Sequence, residues 1–206
     1  MHPELFCLGC IFFSSLEKYF YSLHNFFMYR IRNAQKSDLD KIMQIESESF
    51  IPQISEKLEV FEKRLQFFQK GFLVFEDISS GEVFGYFSSE LWKDFPRDFS
   101  SFKIGHDIED FFFEDGKNLY ISSFAILKKM RGKGIGKKLF QDSLNFIEKL
   151  LKNDGILLEK TILLVNETWL SARHIYENSG FKISFTIKDA FENSFGKTDS
   201  GIVMVK

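Results

Sequence analysis

The stretch YISSFAILKKMRGKGIGKKLFQDSLNFI, residues 120–147, changes character in its middle. Its first part is rich in β-branched and aromatic residues, which predicts a strand, and its last part has the apolar period of an amphipathic helix. Between them, at 131–136, three glycines alternate with mostly basic residues. A strand, a glycine-rich turn and a helix leave backbone N–H groups free at a helix N-terminus, where the macrodipole favours negative charge. The turn therefore predicts a phosphate-binding site.

The spacing of these glycines excludes two other phosphate-binding motifs. A Walker loop needs a Gly-Lys pair followed by Ser or Thr, but the fifth residue after Gly132 is Lys137 and no hydroxyl residue follows it. The dinucleotide fingerprint needs a third glycine, and its two possible positions hold Lys137 and Leu139. The alternative interpretation of residues 131–136 is a lysine-rich, solvated turn with no ligand.

Outward from this stretch, hydrophobic patterning predicts the order of the remaining elements. That order is a strand, two helices, two hairpin strands, a long loop, and then strand, helix, strand, helix and two strands, which is typical of a mixed α/β sheet with late crossover helices. The loop, at 93–118, is long enough to favour a functional or a disordered segment. The other strands are expected from Met28 and at 72–77, 83–92, 160–166, 181–187 and 201–205, and the other helices at 39–46, 55–69 and 171–181.

The composition is that of a globular protein. The chain has 206 residues, 44% hydrophobic and 27% charged, and its net charge of −2 provides no general basic field for nucleic acid. We interpret Cys7 and Cys10 as incidental thiols, with a zinc or redox element as the alternative. The four histidines are scattered, so no metal site is predicted.

Residues 1–27 are interpreted as an extension that precedes a domain at 28–206. The apolar run from Phe6 to Phe13 is too short to span a bilayer, which takes about 20 apolar residues, and no basic residues precede it as in a secretory signal. Met28 stands directly before the first strand, which favours a misassigned start or a partly helical extension. We therefore expect a cytoplasmic protein without stable membrane association, and its oligomeric state is open.

The glycine turn and the residues after it resemble those of one enzyme family. The turn reads Arg-x-x-Gly-x-Gly, and downstream come Asn166 and an Ala-x-x-x-Tyr-x-x-x-Gly-Phe pattern that spans 172–181. In these features residues 28–206 resemble the GNAT superfamily of acetyl-CoA-dependent N-acetyltransferases. The segments IESESFIP and LYISSFAIL are most similar to the arylalkylamine N-acetyltransferase-like branch. The animal enzymes of that branch have two histidines where this chain has Tyr120 and Ser122.

The resemblance implies a fold and a cofactor site. The fold is a mixed, mostly antiparallel sheet of about seven strands, splayed at the cofactor site and flanked by four helices. The cofactor is acetyl-CoA, with its pantetheine arm along the backbone of the strand before the turn. Asn166 would bond that arm, with Arg173 nearby, and Lys137 would lie at the edge of the pyrophosphate. The turn amides implied are those of Arg131, Gly132, Lys133, Gly134, Ile135 and Gly136, and the strand residues are Phe124, Ala125, Ile126 and Leu127.

The resemblance also implies direct attack of an uncharged amine on the thioester. Tyr176 matches the family's general acid, and a packing tyrosine on an amphipathic helix is the alternative. For the base, we expect a water chain that ends on Glu90, Ser122 or His106, although a loop histidine is often merely solvated. Glu46 and Glu48 would suit a cationic amine, with helix-surface charge as the ordinary explanation.

We therefore read the sequence as that of an N-acetyltransferase that acts on a small primary amine through a ternary complex. One alternative is an acetyltransferase for protein N-termini or lysines, which a wide, open groove would favour and a closed aromatic lid would oppose. The other is a noncatalytic acyl-CoA-binding sensor that keeps the turn without a competent base.

Overall fold

In the computed structural model, the residues described are 19–20, 28–96 and 100–206. Cys7 and Cys10, interpreted above as incidental thiols, and most of the predicted extension at 1–27 lie outside them. Of that extension only the two-residue strand β1 is described, and it pairs antiparallel with the first strand of the domain. The boundary at Met28 stays a prediction.

The described chain forms one mixed sheet with four α-helices, in the predicted element order. The strand order is β1-β2-β3-β4-β5-β6-β8-β7, and β5–β6 is the parallel pair among otherwise antiparallel neighbours. This confirms the expected fold, with β1 as a short addition at one edge. The strands are β1 Tyr19–Phe20, β2 Tyr29–Asn33, β3 Phe72–Asp77, β4 Val83–Trp92, β5 Asn118–Ile126, β6 Lys160–Asn166, β7 Lys182–Glu192 and β8 Thr198–Val205; the helices are α1 Leu39–Ser49, α2 Leu58–Phe67, α3 Ile135–Asn153 and α4 Leu170–Glu177.

The sheet opens between β5 and β6. Their pairing runs from Asn118↔Lys160 only as far as Ile121↔Leu163, although β5 continues to Ile126 and β6 to Asn166. On its other side β5 stays paired with β4 up to Gly85↔Ile126, with a register shift that places Ser122 as an extra residue between two ladder pairs. Such a bulge bends and twists a strand. The last residues of β5 therefore have a free backbone edge that faces the gap.

The loop at 93–118 is packed onto the domain over much of its described length. Phe102 and Ile108 are buried, and Trp92 forms an isolated bridge with Phe112. At the surface Lys63 of α2 forms ion pairs with Asp107 and with Glu109 at 2.9 Å. The segment 100–112 is thus a fixed cover at one end of the sheet.

The hairpin of β7 and β8 is longer than its apolar pattern predicted. The pairing extends to Glu192↔Thr198, past a register irregularity between Ile187 and Phe191. In this irregular segment Asp189 has φ 54°. Beyond the last pair, the side chain of Asn193 accepts hydrogen bonds from backbone N–H groups of the tip. The extension is polar and largely exposed, which is why alternation of apolar residues did not reveal it. None of the helices in the described residues is long and apolar enough to cross a membrane.

Candidate functional site

A cleft of about 1200 Å³ begins at the glycine turn and follows the opening between β5 and β6. It ends under the segment at 102–106, beside the C-terminal half of α1. The cleft therefore joins the predicted phosphate site to a second, partly acidic end through the splayed part of the sheet. The predicted site residues that line it are Ser122, Phe124, Ala125, Ile126, Arg131, Gly132, Gly134, Gly136, Lys137, Asn166, Tyr176 and His106.

Five predicted residues do not line the cleft: Glu90, Leu127, Lys133, Ile135 and Arg173. Lys133 and Ile135 belong to the turn, where the predicted contribution is their backbone amides. The N–H of Leu127 donates to the carbonyl of Phe84, which ties it to β4. Arg173 lies 3.7 Å from Glu177 in an ion pair on α4. The cofactor roles predicted for these side chains remain untested predictions.

The glycine turn is shaped for close approach by a ligand. Gly132 and Gly134 have φ of 73° and 75°, in the left-handed region that favours glycine. A Cβ at either position would meet no described atom within 4 Å, so the space in front of the backbone is open. Gly134 is the N-cap of α3, and no side chain caps this helix end. The first N–H groups of a helix have no intrahelical partner, so the residues present fit a pyrophosphate.

Two other residues of the turn fix its position. A Cβ on Gly136 would lie 3.3 Å from Cδ1 of Ile175, so this glycine allows α3 and α4 to pack closely. The guanidinium of Arg131 donates to the carbonyl of Ile126 at 2.9 Å and to Oγ of Ser49 at 2.6 Å. Arg131 thus links the turn to the end of β5 and to the end of α1.

Asn166 lies at the end of β6 and is buried, but its side chain already has partners. The amide nitrogen donates to Asp199 at 3.0 Å, and the amide oxygen accepts from the backbone N–H and from the hydroxyl of Thr168, both at 2.8 Å. These bonds organise the chain as it enters α4. The predicted bond from Asn166 to the cofactor arm would have to use its remaining hydrogen-bonding capacity.

Tyr176 projects from α4 toward the cleft. Its ring packs on Phe140, with 4.9 Å between the centroids, and on Phe181 at 6.3 Å. Its hydroxyl has no hydrogen-bond partner in the part of the chain that the structure describes. Burial raises the pKa of Tyr176 above its ordinary value, so the phenol keeps its proton at neutral pH. The geometry suits a proton donor that faces a ligand, and the ring contacts show that the residue also has a packing role.

His106 and Glu90 form a closed pair at the other end of the cleft. Nε2 of His106 lies 2.9 Å from Oε2 of Glu90, and Nδ1 lies 3.1 Å from the carbonyl of Lys103. Both ring nitrogens therefore face acceptors, and only the imidazolium can donate to both. Burial alone would raise the pKa of Glu90, but His106 and Arg64 hold it below its usual value. His106 is thus buried and partnered, which differs from the solvated loop histidine considered above.

Arg64 connects this pair to a third carboxylate. It is 1% exposed, its Nη1 and Nη2 donate to the two oxygens of Glu56 at 2.5 and 2.7 Å, and its Nε donates to Glu90 at 3.2 Å. The carboxylate of Glu56 also accepts the N–H of Gly105 at 3.1 Å. The two glutamates, Arg64 and an imidazolium at His106 sum to zero charge, which is the arrangement that a buried ionic cluster needs. Of these four residues, Glu90 and His106 were predicted from the sequence, and Arg64 and Glu56 were not.

Glu46 and Glu48, both considered as carboxylates for a cationic amine, have different surroundings in the structure. Glu48 is exposed and bonds Gln44, so helix-surface charge explains it, but Glu46 is 1% exposed and lines the cleft. Its carboxylate accepts the hydroxyl of Tyr86 and the backbone N–H of Glu56. Burial raises the pKa of Glu46 to about 7, against the opposing effect of the Tyr86 hydrogen bond. The sequence contains one indication that Glu46 is buried, because it lies four residues after Ile42 on the apolar face of α1.

Comparison with known proteins agrees with this geometry. Residues 101–183 match the family model described as the acetyltransferase (GNAT) domain, and no curated protein matches the sequence. The ribosomal-protein-S18-alanine N-acetyltransferase from Escherichia coli has a similar structure, with a TM-score of 0.61 and 15% identity over 86% of this chain and 92% of that one. The spermidine/spermine N-acetyltransferase SpeG from Vibrio cholerae gives a TM-score of 0.59 and 17% identity over 86% of this chain and 91% of that one.

A third similar structure is the GphF GNAT-like decarboxylase in complex with isobutyryl-CoA, with a TM-score of 0.66 and 13% identity over 85% of this chain and 97% of that one. At these identities the structural likeness shows the fold alone. The family match covers most of the 93–118 loop, β5, the glycine turn, α3, β6 and α4, which together line much of the cleft. Residues 101–183 are thus similar to an acetyltransferase (GNAT) domain, within a chain that has the fold of the three similar structures.

Proposed function

We propose that the protein is an N-acetyltransferase that moves the acetyl group of acetyl-CoA to a small primary amine by direct attack in a ternary complex. One observation carries this proposal: a single cleft joins an uncapped, glycine-rich helix N-terminus to a buried acidic end, and Tyr176 lies along it. Phosphate groups suit the first end and a cationic amine suits the second. We expect this activity in the cytoplasm.

Acyl-CoA would be bound by backbone groups of the cleft and by a positively charged side chain. Amides of the turn at 132–136 would hold the pyrophosphate, because they lie at the N-terminus of α3. The N–H of Arg131, also predicted for this role, already donates to the carbonyl of Lys128 at 3.1 Å. The free edge of β5 from Ser122 to Ile126 offers backbone groups to the amides of the pantetheine arm, since β6 has separated from it there. Lys137 lines the same end and adds positive charge.

The reaction needs three contributions from residues of the protein. The amine must lose a proton before it attacks, the carbonyl oxygen needs a hydrogen-bond donor as negative charge develops on it, and the thiolate that leaves needs a proton. Tyr176 is our candidate for the last of these, because its hydroxyl is protonated and free to donate. Attack forms the C–N bond, and departure of the thiolate breaks the C–S bond.

A small amine suits the acidic end better than a protein chain does. Phe102 and His106 belong to the packed segment at 100–112, and both are buried and line the cleft, so this largely aromatic segment covers the cleft there. A protein N-terminus stays a second candidate because Leu170 and Phe195, at the edge of the cleft, are 69% and 86% exposed and could contact a peptide. Membership of the arylalkylamine-like branch is a narrower proposal that rests on the sequence resemblance.

Turnover is the test of this proposal. Release of free thiol from acetyl-CoA should be measured with polyamines, arylalkylamines, amino acids and peptides. We expect one class of small primary amine to be acetylated with the highest kcat/KM. Preference for a peptide would replace the small amine with a protein substrate, and binding of acetyl-CoA without turnover of any amine would favour the sensor.

The proposed role of the glycine turn in cofactor binding can be tested by substitution. We expect Gly134→Ala to weaken acetyl-CoA binding at least tenfold, or about 1.4 kcal/mol, because a Cβ strains the left-handed backbone and stands where the phosphates would approach. Isothermal titration calorimetry would give the dissociation constant. Gly155→Ala is the matched control, since Gly155 also has positive φ and open space but lies outside the cleft. Equal affinities in the two variants would show that the turn does not hold the cofactor.

A further inference from the structure

A line of hydrogen bonds leads from the wall of the cleft to a buried carboxylate. Oγ of Ser123, on β5, lies 2.8 Å from the hydroxyl of Tyr86, on β4. The same Tyr86 hydroxyl donates to Oε2 of Glu46, on α1. Each contact joins groups that exchange protons readily, since hydroxyls can donate and accept at once. Three side chains from three elements thus form one continuous path.

Ser123 is the end of this path that lies beside the opening between β5 and β6. It is half-buried, it lines the cleft, and it comes two residues after Ile121, the last residue of β5 that pairs with β6. It therefore lies where the proposed pantetheine arm would bring the acyl group between the separated strands. Tyr86 is fully buried behind it and does not line the cleft.

The groups around Glu46 suit the acceptance of a proton. Oε1 of Glu46 accepts the N–H of Glu56 at 2.8 Å, so Tyr86 is bonded to the other oxygen. The charged groups that act on Glu46 are the carboxylate of Glu56, which disfavours a second negative charge, and the guanidinium of Arg64, which favours it. Burial has the largest effect and raises the pKa of Glu46 to about 7, so the carboxylate can gain and lose a proton near neutral pH.

We propose that Ser123, Tyr86 and Glu46 form a proton relay that removes a proton from the ammonium group of the substrate. This inference rests on the proposed acetyltransferase function. The ammonium gives a proton to Oγ of Ser123, Ser123 gives its own to the oxygen of Tyr86, and Tyr86 gives its own to Glu46. Ser123 is the catalytic residue that touches the substrate, and Tyr86 and Glu46 act through it.

The protons released and taken up balance over one turnover. The neutral amine attacks the acyl carbon, the C–S bond breaks, and the thiolate takes a proton from Tyr176. The amide nitrogen still carries one extra proton at that point, and this proton passes to the phenolate of Tyr176, which restores the tyrosine. One proton per turnover then leaves Glu46 for solvent, which matches conversion of an ammonium and a thioester into an amide and a thiol.

The relay explains why the acidic end holds two separate carboxylate systems. Glu90 is fully buried, does not line the cleft, and is bonded to His106, Arg64 and Trp92. Both nitrogens of His106 already face acceptors. That system holds charge in place, whereas Glu46 lines the cleft and is also linked to Ser123 through the hydroxyl of Tyr86, which can pass a proton.

Turnover as a function of pH tests the relay in the whole protein at saturating acetyl-CoA and amine. In the wild type, kcat should rise with pH through about 7 and then level off, because Glu46 must be ionised to accept the proton. Glu46→Gln and Tyr86→Phe should each lower kcat at pH 8 by about 10²-fold or more, the usual scale for loss of a general base. Both variants should also lose the transition near pH 7, which a purely structural role would leave in place.

The matched controls are Tyr29→Phe and Asp142→Asn. Tyr29 is also a fully buried tyrosine, and its hydroxyl donates to buried Asp142 at 2.6 Å, but neither residue lines the cleft. These controls should keep the wild-type kcat and its pH transition. Wild-type kcat with an intact transition in Glu46→Gln or Tyr86→Phe would overturn the relay alone. A wild type that binds acetyl-CoA and acetylates no amine would overturn the proposed function as well.

Discussion

Replacing Tyr176 with phenylalanine should lower kcat by about 10²- to 10³-fold while leaving acetyl-CoA affinity unchanged. The expected loss is that of a general acid, because the thiolate would then leave without a proton from the enzyme. Binding should survive because the phenylalanine ring can keep the contacts with Phe140 and Phe181. The measurement is thiol release at saturating substrates, with the dissociation constant of acetyl-CoA measured in parallel.

The free energy of unfolding distinguishes an acid from a packing tyrosine. The hydroxyl of Tyr176 has no bond to any described residue, so its removal should leave stability within about 0.5 kcal/mol of the wild type. A large loss of kcat with unchanged stability and affinity would assign the proton to Tyr176. A kcat within twofold of the wild type would show that water or another group protonates the thiolate and that Tyr176 serves only to pack α4 on α3.

The fold followed from the sequence because its elements have strong local patterns. The turn from 131 to 136 lies between an apolar strand and an amphipathic helix, and the structure places β5 and α3 on either side of it. Gly81 and Gly180 likewise mark turns and have positive φ. The polar end of the β7–β8 hairpin escaped prediction because cross-strand pairing, and not apolar alternation, holds it together.

The acidic end of the cleft could be predicted only in part, because burial of charge depends on tertiary placement. Arg64 falls on the face of α2 that turns toward β4, and its partners come from a loop after α1 and from β4. No local pattern in a single sequence distinguishes such an arginine from the exposed Lys63 beside it. Glu46 was noticed as a carboxylate for an amine, but its burial and its link to Tyr86 required the packed structure.

Arg64 should be among the most costly residues to replace. We expect Arg64→Met to lower the free energy of unfolding by about 3–5 kcal/mol, the usual cost of removing one partner from a buried ion pair. Methionine can fill part of the space beside Phe61. It carries no charge, however, so among the described residues of the cluster only His106 would remain to balance the two carboxylates of Glu56 and Glu90. Urea unfolding at pH 7, followed by circular dichroism, would measure the change.

Two comparisons separate charge from packing at this position. Lys63→Met, on the adjacent residue, removes exposed ion pairs with Asp107 and Glu109 and should leave stability nearly unchanged. Lower pH should reduce the loss in Arg64→Met, because Arg64 helps to hold the pKa of Glu90 below its usual value and protonated Glu90 no longer needs that charge. A lost packing contact would give the same deficit at every pH. If Arg64→Met lowers the free energy of unfolding by less than about 1 kcal/mol, the cluster does not carry the charges assigned to it.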